Sequence, residues 1–360
     1  MDAPRSLRAH GLRIGALEPG ATSSIADVAG VRVGQVTVIR DEPDPPAGRG
    51  VARTGVTAIV PAAPVTLFSE PLTAGVAVLN GAGEMTGAVQ ISEWGLLETP
   101  VYLTATMSVG RVFDGAVAAA VAGDPAVGVE DVVIPVVAEC DDSWLNDARV
   151  VQVEAGDAAR AVDGAAQDVA QGAVGAGAGM VCFGFKGGIG TASRLVPSLG
   201  AVVGTLVLAN FGAGPELRVD GVPVGRLLGD AGAARPRPAG SCIVVVATDA
   251  ALLSAQLTRV ARRAGLGLAR TGSVAHHGSG EIFLAFSTTA RVPRDGGRPG
   301  AVVADRALDP LFAAAVEATE EAVLNALWSA EPVVGREGRL VAALPHDDVL
   351  ELLAAHRRLS

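Results

Sequence analysis

The stretch PRPAGSCIVVVATDA, residues 236–250, sets a proline and arginine loop and a Gly-Ser pair directly before an unbroken apolar run rich in valine. A run of that length, β-branched and bounded by turn residues, reads as a strand covered on both faces. Gly240 and Ser241 then have a plain reading as ordinary loop-ending residues. They also have a chemical one, because a serine whose upstream peptide bond is flexible and exposed can attack that bond and emerge as a new N-terminus. Its α-amine, with a pKa of about 7.7 to 8, can then accept the proton of its own hydroxyl. Gly240 suits this second reading: lacking Cβ, it allows close approach to its carbonyl and tolerates a strained backbone.

Outward from this strand the chain alternates strands and helices. VRVGQVTVIR (31–40), TGVTAIVP (54–61), AGVAVLN (74–80) and LGAVVGTLVLAN (199–210) carry the same valine-rich signature. The pattern predicts helices over 108–123, with Ser108 as N-cap, and over the alanine-rich segment 155–172. VDGVPVGRLLGDAGAARPRPAG (219–240) reads as a flexible connection. After strand 241–249 come a helix capped at Asp249, a strand EIFLAFST (281–288), and helical stretches over 304–330 and 347–360. The alternation is too irregular for a barrel of eight equal units, and layers of sheet between helices fit better.

The chain has 360 residues, 49% of them hydrophobic, enough for a large core, and a net charge of −10 with basic residues scattered. Such a balance points away from nucleic acid and anionic membranes and towards small soluble partners. Cys140, Cys182 and Cys242 are far apart with no ligand spacing, so neither a disulfide framework nor a zinc site is expected. The first residues lack a signal-peptide core and no apolar stretch is long enough to span a bilayer, so a cytoplasmic protein is expected.

Two glycine-rich loops, NGAGEMTG (80–87) and FKGGIGTASR (185–194), depart from dinucleotide and Walker spacings, and the second holds the only lysine, Lys186. The five histidines show no nucleophile elbow or HExxH pattern. In HHGSGEIFLAFST (276–288), Ser279 and Glu281 stand two apart at the head of a strand, so hydroxyl and carboxylate share one face and can tune a group across a neighbouring strand. Asn210 ends an apolar strand, where its amide either caps the strand end or donates to an oxyanion.

Together with SIADVAGVRVGQ (24–35) and ECDDSWLND (139–147), these segments resemble, in register over nearly the whole chain, the DmpA family of L-aminopeptidase/D-amidase-esterases and β-peptidyl aminopeptidases. The resemblance implies an α/β fold, a four-layer αββα sandwich like that of N-terminal-nucleophile hydrolases. It implies one catalytic domain over 1–360 that cleaves itself into 1–240 and 241–360, with Ser241 the nucleophile of both self-cleavage and catalysis. Ser279 and Glu281 match assisting residues, and Asn210 the oxyanion donor. A homo-oligomer of processed pairs is implied, with no cofactor or metal. The substrate would be a small peptide, amino-acid amide or ester.

An aminopeptidase must also hold its substrate's ammonium, which a carboxylate does best. Glu139 is the candidate, with Trp144 as pocket wall; a structural role is an equal alternative for both. Lys186 is a candidate for fixing a loop beside the site. The sequence departs from the family at Asp141, where an aromatic residue is common, at Ala82 and Ala105, where asparagine is, and at Gln35, where histidine is. Other classes stay open: an uncleaved, inactive relative acting as a binding protein, or a nucleotide-binding enzyme using the glycine loops.

Overall fold

The computed structural model describes residues 7–62, 64–229, 240–297 and 300–358. In chain order the strands are β1 (Arg32–Asp41), β2 (Val51–Val60), β3 (Leu72–Gly81), β4 (Leu96–Leu97), β5 (Val101–Ala105), β6 (Val136–Cys140), β7 (Val181–Cys182), β8 (Phe185–Lys186), β9 (Gly188–Val196), β10 (Ala201–Asn210), β11 (Gly240–Thr248), β12 (Ser279–Arg291), β13 (Val333–Val334) and β14 (Leu340–Val341). The α-helices are α1 (Pro64–Ser69), α2 (Ala88–Trp94), α3 (Val109–Gly123), α4 (Gly156–Asp163), α5 (Val224–Leu227), α6 (Ser254–Arg270), α7 (Asp309–Trp328) and α8 (His346–Ala355).

Two sheets stack. One runs β1-β2-β5-β6, the other β4-β3-β12-β11-β10-β9. Ile59, Leu103 and Ala138 of the first meet Leu206, Ile243 and Leu284 of the second in an apolar seam. The far face of the larger sheet, through Val207, Val244 and Phe283, packs on Leu257 and Val260 of α6 and Ala315, Ala318 and Ala322 of α7. The far face of the smaller sheet, through Val56, Ala58 and Tyr102, packs on Val112 and Ala116 of α3 and Ala158 and Ala161 of α4. Helix, sheet, sheet, helix is the αββα order expected. Strands buried on both faces explain the near-continuous apolar runs.

The glycine-rich stretch read as a loop is in fact mostly strand β9. Its glycines serve close packing: a side chain on Gly190 would collide with the carbonyl of Ala322 in α7. Arg194 of the same strand, fully buried, donates to Glu317 at 3.1 Å and Glu321 at 2.7 Å, which explains acidic residues inside α7.

Several expected boundaries shift. Helix α4 stops at Asp163 rather than running to 172, because Ala166 leaves the helix to exchange two backbone hydrogen bonds with Val33, at 2.9 and 3.0 Å. Helix α6 begins at Ser254. Asp249 does not cap it, since its Oδ1 accepts from Val202 N, and Gln256 Oε1 takes Leu253 N instead. Ser108 stands at the start of α3 but makes no capping bond, because a 3-10 turn, Thr106–Ser108, precedes it. Of the connection expected to be flexible, 219–229 is folded, with Val219, Val222 and Val224 in the core; residues 230–239 lie outside the described residues.

Candidate active site

The ends of four neighbouring interior strands of the larger sheet meet at one site. Asn210 closes β10, Ser241 is the second residue of β11, Ser279 opens β12, and Asn80 and Gly81 close β3. The register pairs Ser241 with Asn210 on one side and with Gly280 on the other, while Glu281 pairs with both Cys242 and Asn80. Residues distant in sequence are thereby neighbours through backbone ladders, which need no particular side chain.

Gly240 is held with φ +144° in a region glycine favours, and a Cβ there would collide with the carbonyl oxygen of Asn210 and lie 2.9 Å from Asn210 Nδ2. The carboxamide of Asn210 is thus pressed against the residue before the serine. Its orientation is fixed at both ends: Oδ1 accepts from Val181 N at 2.8 Å and Nδ2 donates to the carbonyl of Asp141 at 2.8 Å. An amide nitrogen carries two hydrogens, so one donor remains for a developing oxyanion.

Ser241 is 5% exposed, and its Oγ accepts from Gly280 N at 3.2 Å. Side-chain alternation puts Ser241, Ile243 and Asn210 on the face towards the other sheet. Ser279 and Glu281 stand on the opposite face with Phe283, towards the helices. The expectation that they share a face holds, and Ser279 Oγ donates to Glu281 Oε1. Yet that face is not the one the Ser241 hydroxyl occupies. What lies beside the pair is the backbone of 240–242, including the nitrogen of Ser241. Burial pushes the Glu281 carboxyl above its ordinary pKa, the Ser279 hydroxyl and His276 opposing. Its Oε2 is buried with no hydrogen-bond partner among the described residues.

Across the seam, Glu139 of β6 is 2% exposed; its Oε1 accepts from Glu84 N at 2.9 Å and its Oε2 accepts from Thr106 Oγ1. Burial raises its pKa, those two bonds oppose, and the nearby Asp141 and Glu84 charges add to the rise. Gly83 stands between the two sides: a methyl group built on it would lie 3.0 Å from Glu139 Oε1 and 3.7 Å from Ser241 Oγ. Carboxylate and hydroxyl therefore border one small space.

Trp144 is placed differently. It packs against Leu145, Val181 and Val341, with the Arg339 guanidinium 4.2 Å over its ring. It stands behind Val181, the residue that anchors Asn210. Lys186 donates to the carbonyls of Gly177, Met180 and Gly187 at 2.7–2.9 Å, bracing the loop that holds Val181. The ring of His276 bonds to Glu216 at 2.9 Å. Asp141 serves the site through its carbonyl, which any residue supplies, while its side chain accepts from Ser143 N. Gln35, on β1, is separated from β6 by two intervening strands and bonds to Ala170. Ala82 places its carbonyl where a side chain on Gly280 would otherwise go, and Ala105 ends β5 opposite Cys140.

Sequence reading missed Asn80, Gly83 and Thr106. Asn80 Nδ2 donates to the carbonyls of His276 at 2.9 Å and Ser279 at 2.6 Å, tying down the approach to β12. For Asn80 and Gly83 the available signal was the motif 80–87 itself; Thr106 carries none, since its partner is remote in the chain. Among the described residues no cluster of three or more His, Cys, Asp or Glu is arranged to hold a metal.

A hydroxyl at a strand head, an amide donor packed against the preceding glycine and a four-layer sandwich are the features of an N-terminal-nucleophile type of hydrolase. The sequence pattern of peptidase family S58 matches residues 23–341. The β-peptidyl aminopeptidase BapA of Sphingosinicella microcystinivorans is 43% identical over 371 aligned positions, covering 95% of this chain and 90% of BapA. The β-aminopeptidase structure from Burkholderia sp. has a TM-score of 0.88 at 43% identity, over 97% of this chain and 98% of that one. The L-aminopeptidase D-Ala-esterase/amidase from Ochrobactrum anthropi, described as a prototype for the serine aminopeptidases and a variant of the Ntn hydrolase fold, has a TM-score of 0.91 at 37% identity, over 99% and 100%. This chain belongs to peptidase family S58, and it is a hydrolase of the aminopeptidase kind.

Proposed function

We propose that Ser241 Oγ attacks the carbonyl carbon of Gly240, that the Gly240–Ser241 amide becomes an ester as the hydroxyl proton passes to the leaving nitrogen, and that water hydrolyses the ester. The products are residues 1–240 ending in a carboxylate and residues 241–360 beginning with a free amine. The observation that carries this reading is the packing of the Asn210 carboxamide against Gly240, with Nδ2 2.9 Å from the position of the absent Cβ. A donor that close to Gly240 supports a role for Asn210 in stabilising the tetrahedral oxyanion.

In turnover the new amine takes the Ser241 hydroxyl proton, Oγ attacks the substrate carbonyl, and Asn210 Nδ2 donates to the oxyanion. The proton then goes to the leaving amine, and water releases the acyl group. Ser279 and Glu281, on the amine's side of the sheet, hold and tune that amine. Glu139 binds the substrate's ammonium, and Trp144 supports the pocket wall through Val181. The substrates are short peptides, amino-acid amides or esters, β-amino-acid residues at the N-terminus included, and the working form is a cytoplasmic homo-oligomer of processed pairs.

The test is wild type beside Ser241→Ala on a denaturing gel and against a panel of aminoacyl p-nitroanilides. Wild type runs as pieces of about two-thirds and one-third and releases p-nitroaniline; the variant runs whole and does not. A whole wild-type chain that hydrolyses the panel overturns the mechanism, and one that hydrolyses nothing points to an uncleaved binding protein.

A further inference from the structure

The loop after β3 is the piece of the site that has no assigned part. Its backbone is pinned on both sides: Thr86 N donates to Val137 O and Glu84 N to Glu139 Oε1, both at 2.9 Å, while Ala82 and Gly83 press on Gly280. Residues 81–84 are exposed, so ligands reach this loop from solvent.

Gly83 does not have the positive φ that favours glycine. Conformation therefore does not require glycine there. Space is the remaining reason. A methyl group would meet Glu139 Oε1 at 3.0 Å, Gly280 Cα at 3.5 Å and Ser241 Oγ at 3.7 Å. The first contact is tight and the others ordinary, so alanine fits with a small shift of one carboxylate. What glycine preserves is the space between carboxylate and hydroxyl.

We infer that Gly83 is a specificity-determining residue: the space left by its missing side chain receives the carbon or carbons that join a substrate's ammonium to its scissile carbonyl. The inference rests on the reading above, in which Glu139 takes the ammonium and Ser241 attacks the carbonyl. An α-aminoacyl group has one such carbon and a β-aminoacyl group two, and either must pass Gly83 to span the two groups. Crowding this space weakens ground-state and transition-state binding alike, so the loss falls on KM rather than kcat.

The experiment compares the mature two-piece forms of wild type, Gly83→Ala and Gly83→Val with alanyl and β-alanyl p-nitroanilide, and with p-nitrophenyl acetate, which has neither ammonium nor linking carbon substituents. One methyl in a fitted pocket is worth about tenfold or more. The ratio of kcat/KM for the aminoacyl anilides to that for the acetate is expected to fall by at least that factor in Gly83→Ala, mainly through KM, and further in Gly83→Val. An unchanged ratio overturns the inference and leaves the nucleophile reading intact. A Gly83→Ala chain that folds with wild-type thermal stability yet stays whole also overturns it, because the space would then serve cleavage and not substrate. If Gly83→Ala does not fold, Gly83→Ser, whose hydroxyl can bond Glu139, is judged by the same ratio. A wild type with no new N-terminus at Ser241 removes the inference together with its foundation.

Discussion

The Ser241 hydroxyl and the Glu281 carboxylate lie on opposite faces of one sheet although β11 and β12 are hydrogen-bonded neighbours, with Ser241 opposite Gly280 and Glu281 opposite Cys242. In the intact chain the carboxylate faces away from the Ser241 oxygen. Its register neighbour is the backbone of 240–242, where the proposed cleavage would turn the Ser241 nitrogen into an amine. Glu281→Gln is therefore expected to cut turnover by about 10² to 10⁴ and to slow self-cleavage by less. An ionised Glu281 also favours the charged form of the adjacent amine, so removing it lowers the amine's pKa. The rise of kcat with pH should move to lower pH in Glu281→Gln, as a pH-rate profile of the mature enzyme will show. A shift to higher pH, or equal losses in cleavage and turnover, contradicts the assignment.

Gly240→Ala tests the close approach on the other side of Ser241. The added methyl collides with the carbonyl of Asn210, so the strand ends must part to admit it. Maturation is expected to stop, and the amides of 241–243 to lose hydrogen-exchange protection. Normal processing of this variant means that the strand ends separate before cleavage.

Asn210 separates into an acceptor half and a donor half. Asn210→Asp keeps an acceptor for Val181 N but loses the donor to Asp141 O and to the oxyanion. Losing one oxyanion donor costs about 10² to 10³ in kcat, and that loss is expected with little change in KM. Asn210→Ala also leaves the buried Val181 N–H unpaired, at a further cost of roughly 1 to 3 kcal/mol of stability. Asn210→Asp keeps that bond but buries a carboxylate against the Asp141 carbonyl, so denaturant unfolding should place both variants below wild type, with the Asp variant alone recovering stability as the pH falls.

A pH-dependent cost sits just beyond the site at Asp142. Asp142 is 2% exposed, and Asn146 Nδ2 donates to its Oδ1. Burial pushes its pKa up to about 7 from 3.8. Well below pH 3.8 the group is protonated in both folded and unfolded chains. As pH rises towards 7 the unfolded chain releases this proton first, so the folded state loses stability, and the loss is complete above the folded pKa. Asp142→Asn should therefore raise the melting temperature more at pH 8 than at pH 4.5. An equal effect at both values refutes this.

The parts of the fold that sequence revealed are those where the local pattern and the tertiary demand agree. The apolar runs of β3, β10 and β11, and the pairing of Ser279 with Glu281 two residues apart, announce themselves within a few residues. The hidden parts depend on partners far along the chain. Strand β9 looks like a loop because its glycines answer to the backbone of α7. Helix α4 ends early because Val33, not its own sequence, claims Ala166. Thr106 gains meaning only from the carboxylate of Glu139 across the β5–β6 pair. The face on which Glu281 stands relative to Ser241 follows from a parallel register that no single segment encodes.

The central claim is tested most directly by sequencing the N-termini of purified, active enzyme. The account predicts a second start reading Ser-Cys-Ile-Val, present in proportion to the specific activity as the preparation matures, and absent from Ser241→Ala. Activity from a preparation with only the original start would contradict it.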